Sequence, residues 1–230
     1  MKTRKEKTND GLTGFYFLDR HVDIFQKGTV SLVLGRPAMG KTAFALNLTK
    51  AALLRGMKVC YVSFGLSSQK LMDWLKILGT EEDFLKNLHA DDSLYSPMSV
   101  RKMADAIHHE YGDTNLIVID EITTLGLASV QWLKGYFPDA AILLLSKVGR
   151  ECEYREDHKI QITDVVDIEY LDPYLDYILA LNREDYYRDV LDDERSNVME
   201  VSLLKHKEGR TPLIVFSKIE DHFRITDYVL

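Results

Sequence analysis

The chain has 230 residues, with 29 basic and 36 acidic side chains for a formal net charge of −7; 46% of its residues are apolar and 28% charged. That balance suits one compact domain with chain enough to bury a core, and it excludes wholesale disorder and a body coated in basic charge. The longest apolar run, residues 140–145, is far too short to cross a bilayer. The basic start (Lys2, Arg4, Lys5, Lys7) is followed by the polar Asn9-Asp10-Gly11, where a signal peptide needs an apolar core. Two cysteines, Cys60 and Cys152, are too few for a disulfide framework or a zinc site of their own, so a reducing cytoplasm is the expected compartment.

In chain order, residues 1–10 read as a disordered polar tail and 11–230 as one domain without repeats or linkers. Residues 29–34 (TVSLVL) form a β-rich run that ends at a glycine, and 42–54 predict a helix apolar on nearly every face, as packing against a sheet requires. A strand is expected at 58–64 and a helix at 67–78, capped by Ser67 or Ser68. Val100, Met103, Ala104, Ile107 and Tyr111 recur at helical spacing. Residues 115–120 (NLIVID) and 140–146 (AAILLLS) are near-continuous hydrophobic strands, the pattern of a sheet covered on both faces. Short strands follow at 175–181, 198–204, 212–217 and 223–226, with a turn at Glu208-Gly209. The expected fold is therefore α/β, a mainly parallel central sheet flanked by helices, with an antiparallel extension at the C-terminal end.

Between the first strand and its helix lies Gly35-Arg36-Pro37-Ala38-Met39-Gly40-Lys41-Thr42, followed by Ala43, and it fits G-x-x-x-x-G-K-[ST]. Glycines let the backbone curl so that its N–H groups face phosphates, and the helix N-terminus adds a favourable dipole. Lys41 is then expected on the β- and γ-phosphates of ATP or another nucleoside triphosphate, and the Thr42 hydroxyl on Mg2+. Asp120 closes a buried strand, where a carboxylate holding the metal's water shell is expected. Glu121 follows directly, as a carboxylate to polarise an attacking water or as a solvated loop residue. His108-His109 lacks zinc spacing, and Cys60 reads as a small core residue.

With these pieces placed, the chain resembles the RecA-like C-terminal motor domain of DnaB-type replicative helicases. The likeness runs over roughly residues 11–228. It rests on Gly11-Leu12-Thr13-Gly14-Phe15 with Leu18-Asp19-Arg20, on the Arg-Pro-Ala-Met interior of the phosphate loop, and on Ser63-Phe64-Gly65-Leu66-Ser67, where the family has Ser-Leu-Glu-Met. It rests further on 116–120, on Ser146-Lys147-Val148-Gly149-Arg150 in place of Ser-Gln-Leu-Asn-Arg, and on Arg183-Glu184-Asp185-Tyr186-Tyr187. Lys205-His206-Lys207-Glu208-Gly209 stands for the family's Lys-x-Arg-Asn-Gly. The resemblance implies a RecA-like P-loop NTPase that works as a ring hexamer, with ATP and Mg2+ between subunits, single-stranded DNA in a central channel, and Arg183 and Tyr187 near the nucleotide. Tyr186-Tyr187 offers an aromatic face for a base, although packing is the commoner use of such rings.

The departures carry their own expectations. Gly65 stands where the family has its catalytic glutamate, and Lys147 where it has a glutamine that senses the γ-phosphate. Lys207 replaces the finger arginine with a point charge, while Lys205 keeps its type and Arg210 lies close enough to substitute. The segment 147–159, expected to line the channel, balances Lys147, Arg150, Arg155 and Lys159 against Glu151, Glu153, Glu156 and Asp157, and a neutral segment tracks phosphates poorly. A stand-alone motor domain is expected, without the family's primase-contacting domain or linker helix. Two readings follow: an ATPase coupled to single-stranded DNA with weakened hydrolysis, or a nucleotide-binding accessory or regulatory protein that has lost helicase activity. A recombinase- or clock-type RecA relative is a third, against which the Arg-Pro-Ala-Met loop and the tyrosine pair count.

Overall fold

The computed structural model describes residues 13–93, 95, 100–126, 128–187, 197–209, 213–220 and 223–228; the expected tail at 1–10 and Arg210 lie outside these. Among the described residues a nine-stranded sheet is built from β1 (Val30–Gly35), β2 (Val59–Ser63), β3 (Leu88–Asp91), β4 (Leu116–Asp120), β5 (Ala141–Lys147), β6 (Tyr177–Asn182), β7 (Val198–His206), β8 (Leu213–Ile219) and β9 (Ile225–Tyr228). Its order is β3-β2-β4-β5-β1-β6-β7-β8-β9. The pairs from β3 through β6 are parallel, and those from β6 through β9 are antiparallel. The helices are α1 (Tyr16–Asp19), α2 (Lys41–Leu54), α3 (Ser68–Ile77), α4 (Glu82–Leu85), α5 (Val100–Tyr111), α6 (Ser129–Tyr136) and α7 (Ile168–Leu171). This is the expected layout, a mainly parallel α/β sheet with an antiparallel extension.

The apolar strands serve two cores because alternate side chains point to opposite faces. Val33, Tyr61, Val118, Leu143, Leu145 and Leu179 pack with α2, α3 and α4. Leu32, Leu34, Val62, Ile117, Ile119 and Leu144 pack on the other face with α5 and α6. The all-round apolar character of α2 is explained by what surrounds it. Phe44, fully buried, stacks on Phe15 with centroids 5.3 Å apart, and the Asn47 side chain donates to the Phe223 carbonyl and accepts from the Ile225 N–H. The sheet covers one side of α2, and Phe15, α3, α4 and β9 pack around much of the rest. Ser67 caps α3, its hydroxyl accepting from the Lys70 N–H.

The site follows from the strand order. β1 lies between β5 and β6, so the chain leaving β1 crosses over β5 and β4 to reach β2. In open α/β sheets ligands bind beyond the carboxyl ends of strands at such a switch point. Gly35, Ser63, Asp120 and Lys147 all fall at that end.

Candidate nucleotide-binding site

The loop after β1 is curled by two left-handed residues, Ala38 (φ 65°) and Gly40 (φ 90°). Gly40 precedes α2 directly at a φ of 90°, a torsion that calls for glycine, and a Cβ there would also have to displace the Met199 methyl, 2.6 Å away. Met39 turns into the core and is fully buried, which anchors the loop from below. The Lys41 ammonium folds back over the loop, donating to the carbonyls of Gly35 (2.9 Å) and Arg36 (3.3 Å). Burial pushes its pKa down, opposed by the negative charges of Glu121 and Asp120. A lysine poised over carbonyls, with few other partners and beside a helix N-terminus, is ready to exchange them for phosphate oxygens.

Two strands away, Asp120 Oδ2 accepts from the Thr42 hydroxyl at 2.9 Å and from the Tyr61 hydroxyl at 3.2 Å. Burial raises the Asp120 pKa, while the Thr42 and Tyr61 bonds and the Lys41 charge pull it back. Tyr61, wholly buried, is held as a neutral phenol by burial and by Asp120. A hydroxyl and a carboxylate at hydrogen-bond distance beside a helix N-terminus fit Mg2+, which takes few protein ligands and completes its shell with waters and phosphate. Thr42 and Asp120 would hold it, and Lys41 with the loop N–H groups would hold the phosphates.

Glu121 shares the cavity. Its Oε1 accepts from the Thr123 hydroxyl (2.7 Å) and from the Lys147 N–H (3.1 Å), which fixes the carboxylate in place. The cavity measures about 470 Å³ and is lined by Thr42, Ser63, Gly65, Lys70, Asp120 and Glu121 among others. Gly65 has no left-handed torsion, and a Cβ built on it meets nothing within 4 Å. Lys147 pairs in register with Gly35, beside the phosphate loop, and its side chain is exposed.

Other expected residues are engaged elsewhere. Arg36 turns away from the loop interior to Glu153 and the Val148 carbonyl. Arg183 makes a two-pronged pair with Asp185 (2.6 and 3.1 Å), and Tyr187 stacks on His158 with ring centroids 4.3 Å apart. Lys205 pairs with Asp172 at 2.8 Å, and Lys207 lies 5.6 Å over the Tyr177 ring and contacts Gln26. Gly35 neighbours Leu181, which pairs with Val201, so Lys205 stands four residues further along β7 and Lys207 six, one residue past its end. That is roughly 14–20 Å from their own phosphate loop at about 3.4 Å per residue. Neither can reach the nucleotide site of its own chain. Among the described residues no cluster of His, Cys, Asp or Glu is arranged to hold a metal by itself, and no helix is long and apolar enough to cross a membrane. Tyr61 and Lys70 escaped the motif-based reading; the alternation of β2, which puts Tyr61 on the same face as α2, was the available signal for the first.

Switch-point loop, half-buried lysine and the Thr42–Asp120 pair lie on a mainly parallel α/β sheet with an antiparallel extension. The chain belongs to the DnaB-like helicase C terminal domain family, whose profile matches residues 11–132, just over half its length. It is 26% identical to the replicative DNA helicase DnaB of Buchnera aphidicola subsp. Acyrthosiphon pisum over 86% of this chain and 51% of that protein. The DnaB of Geobacillus stearothermophilus is 24% identical over 91% of this chain and 55% of its own. The chain thus spans about half the length of the curated relatives it matches. Among solved structures, the ATPase domain of G40P superposes with a TM-score of 0.79 at 22% identity, covering 94% of this chain and 90% of its own. The RadB recombinase reaches 0.62 at 22% identity, covering 89% of this chain and 93% of its own.

Proposed function

We propose that this domain binds Mg2+·ATP at the Gly35–Thr42 loop and hydrolyses it slowly, as a DnaB-like motor domain that assembles with copies of itself on single-stranded DNA. The observation that carries the reading is the 2.9 Å bond between Thr42 and Asp120 beside the folded-back Lys41. In this reading Lys41 leaves the Gly35 and Arg36 carbonyls for the β- and γ-phosphates, and the α2 N-terminus faces them. Bound Mg2+ supplies neutralisation of charge developing on the phosphate oxygens. Glu121, with one oxygen held by Thr123 and Lys147, orients an attacking water with the other and accepts its proton. Gly65 contributes no side chain to that task. Lys205 and Lys207, out of reach of their own site, suit contributions to a neighbour's site in a ring. A lysine finger in place of an arginine fits slow turnover, since a finger arginine is worth about 10³–10⁵ in rate.

Steady-state ATPase assays of wild type, Lys41→Ala and Glu121→Gln test this. Slow wild-type turnover that both substitutions abolish supports it, and vigorous turnover indifferent to Glu121→Gln overturns the role given to Glu121. The accessory-protein reading draws on one feature: within 147–159, Arg155 is paired with Asp164 and Lys159 with Glu200 at 2.9 Å, leaving Lys147 and Arg150 as the cations without an ion pair among the described residues. Mass measurement in solution with and without ATP and a single-stranded oligonucleotide separates the two. A strict monomer under every condition removes the motor reading.

A further inference from the structure

Segment 147–159 is tied down at several points, and its ties differ in where they lead. Arg155 grips Asp164, Lys159 grips Glu200, His158 stacks on Tyr187, and Cys152 is buried in the core. None of these partners belongs to the phosphate loop. Arg36, the second residue of that loop, is different. Its Nε donates to Glu153 Oε1 at 2.9 Å, its Nη2 forms an ion pair with the same oxygen at 2.7 Å, and its Nη1 donates to the Val148 carbonyl at 2.9 Å. The Arg36 side chain is 14% exposed and that of Glu153 32%, so the pair is partly shielded from solvent.

The backbone of the same residue meets the phosphate-binding lysine: the Arg36 carbonyl accepts from Lys41 Nζ. A phosphate that draws Lys41 away removes a partner from Arg36 at one end while the guanidinium holds Glu153 and Val148 at the other. The Lys147 N–H bond to Glu121 supplies a second contact between this segment and the cavity. We propose that Arg36 is a positioning residue that transmits occupancy of the phosphate loop to segment 147–159 through its bonds to Glu153 and Val148. The proposal rests on the nucleotide reading above and adds to it a route by which the nucleotide sets the conformation of that segment.

Hydrogen–deuterium exchange of amides 148–157, measured on the full chain with and without saturating Mg2+·ATP, tests it alongside ATP titration by fluorescence. In the wild type, ATP is expected to change exchange in the segment roughly tenfold, a typical coupling between sites. In Glu153→Ala that ratio falls below about twofold while the ATP dissociation constant stays within about threefold, and Glu153→Gln, which keeps an oxygen for Arg36, falls between. A tie with a merely structural role would raise exchange equally with and without ATP, leaving the ratio at its wild-type value, and that result overturns the proposal. So does ATP binding by the wild type with no change of exchange in the segment. Absence of ATP binding by the wild type overturns the nucleotide reading itself, and the proposal with it.

Discussion

Replacing Gly65 with glutamate should raise ATP turnover. The backbone there is not left-handed and a Cβ meets nothing within 4 Å, so the fold accepts a side chain; restricting the unfolded chain contributes roughly 0.4–1 kcal/mol in its favour. The new carboxylate enters the cavity that Thr42, Asp120, Glu121 and Lys70 line. At about 6 Å and an effective dielectric near 20, one neighbouring carboxylate opposes its ionisation by roughly 3 kcal/mol. That repulsion is offset in part by the Lys70 ammonium, whose one described contact is the Trp74 ring at 5.3 Å. The net effect moves the introduced acid toward neutral pH, where a general base works best, and a positioned base is worth about 10²–10⁴ in rate, or roughly 3–5 kcal/mol of barrier. Steady-state ATPase of Gly65→Glu, with Lys41→Ala as the blank, measures it. ATP binding at wild-type affinity with turnover within threefold of wild type would refute the view that the missing side chain limits hydrolysis.

Other substitutions probe the site and the core. Burial raises the Asp120 pKa, so its ionised form weighs against the metal-free fold; that cost is absent at low pH and appears as pH rises through the raised pKa. Asp120→Asn should therefore melt higher than wild type in EDTA at pH 8, the difference shrinking toward acid pH, and should lose Mg2+-dependent ATP affinity. Gly40→Ala places a side chain at φ 90° against Met199, at a cost of about 1–2 kcal/mol from the backbone alone, and should lower the urea midpoint and weaken ATP binding together. Phe44→Ala removes a fully buried ring stacked on Phe15 and should cost about 3–5 kcal/mol in urea unfolding.

What could be read from the chain depended on how local the signal was. The strands of the parallel core announce themselves because both faces are covered, so 116–119 and 140–145 are continuous apolar runs, and the structure places strands there. β3 was missed because Leu88-His89-Ala90-Asp91 sits half-buried at the sheet edge and carries no β-branched residue. α6 was missed because eight residues burying only Ser129, Val130 and Leu133 leave too short a stripe to show a period. The phosphate loop is legible from eight consecutive residues. The contacts that complete it are not, since Tyr61 meets Asp120 across 59 residues and Arg36 meets Glu153 across 117. Those meetings follow from strand order, which periodicity does not encode.

Gly35–Thr42 and Asp120 are proposed to form a working Mg2+·ATP site. Its most direct test is calorimetric titration of ATP into wild type and Lys41→Ala, each with Mg2+ and with EDTA. One site per chain is expected in the wild type, weakened at least tenfold by EDTA and by Lys41→Ala. Binding that survives both changes, or no binding by the folded wild type, would contradict it.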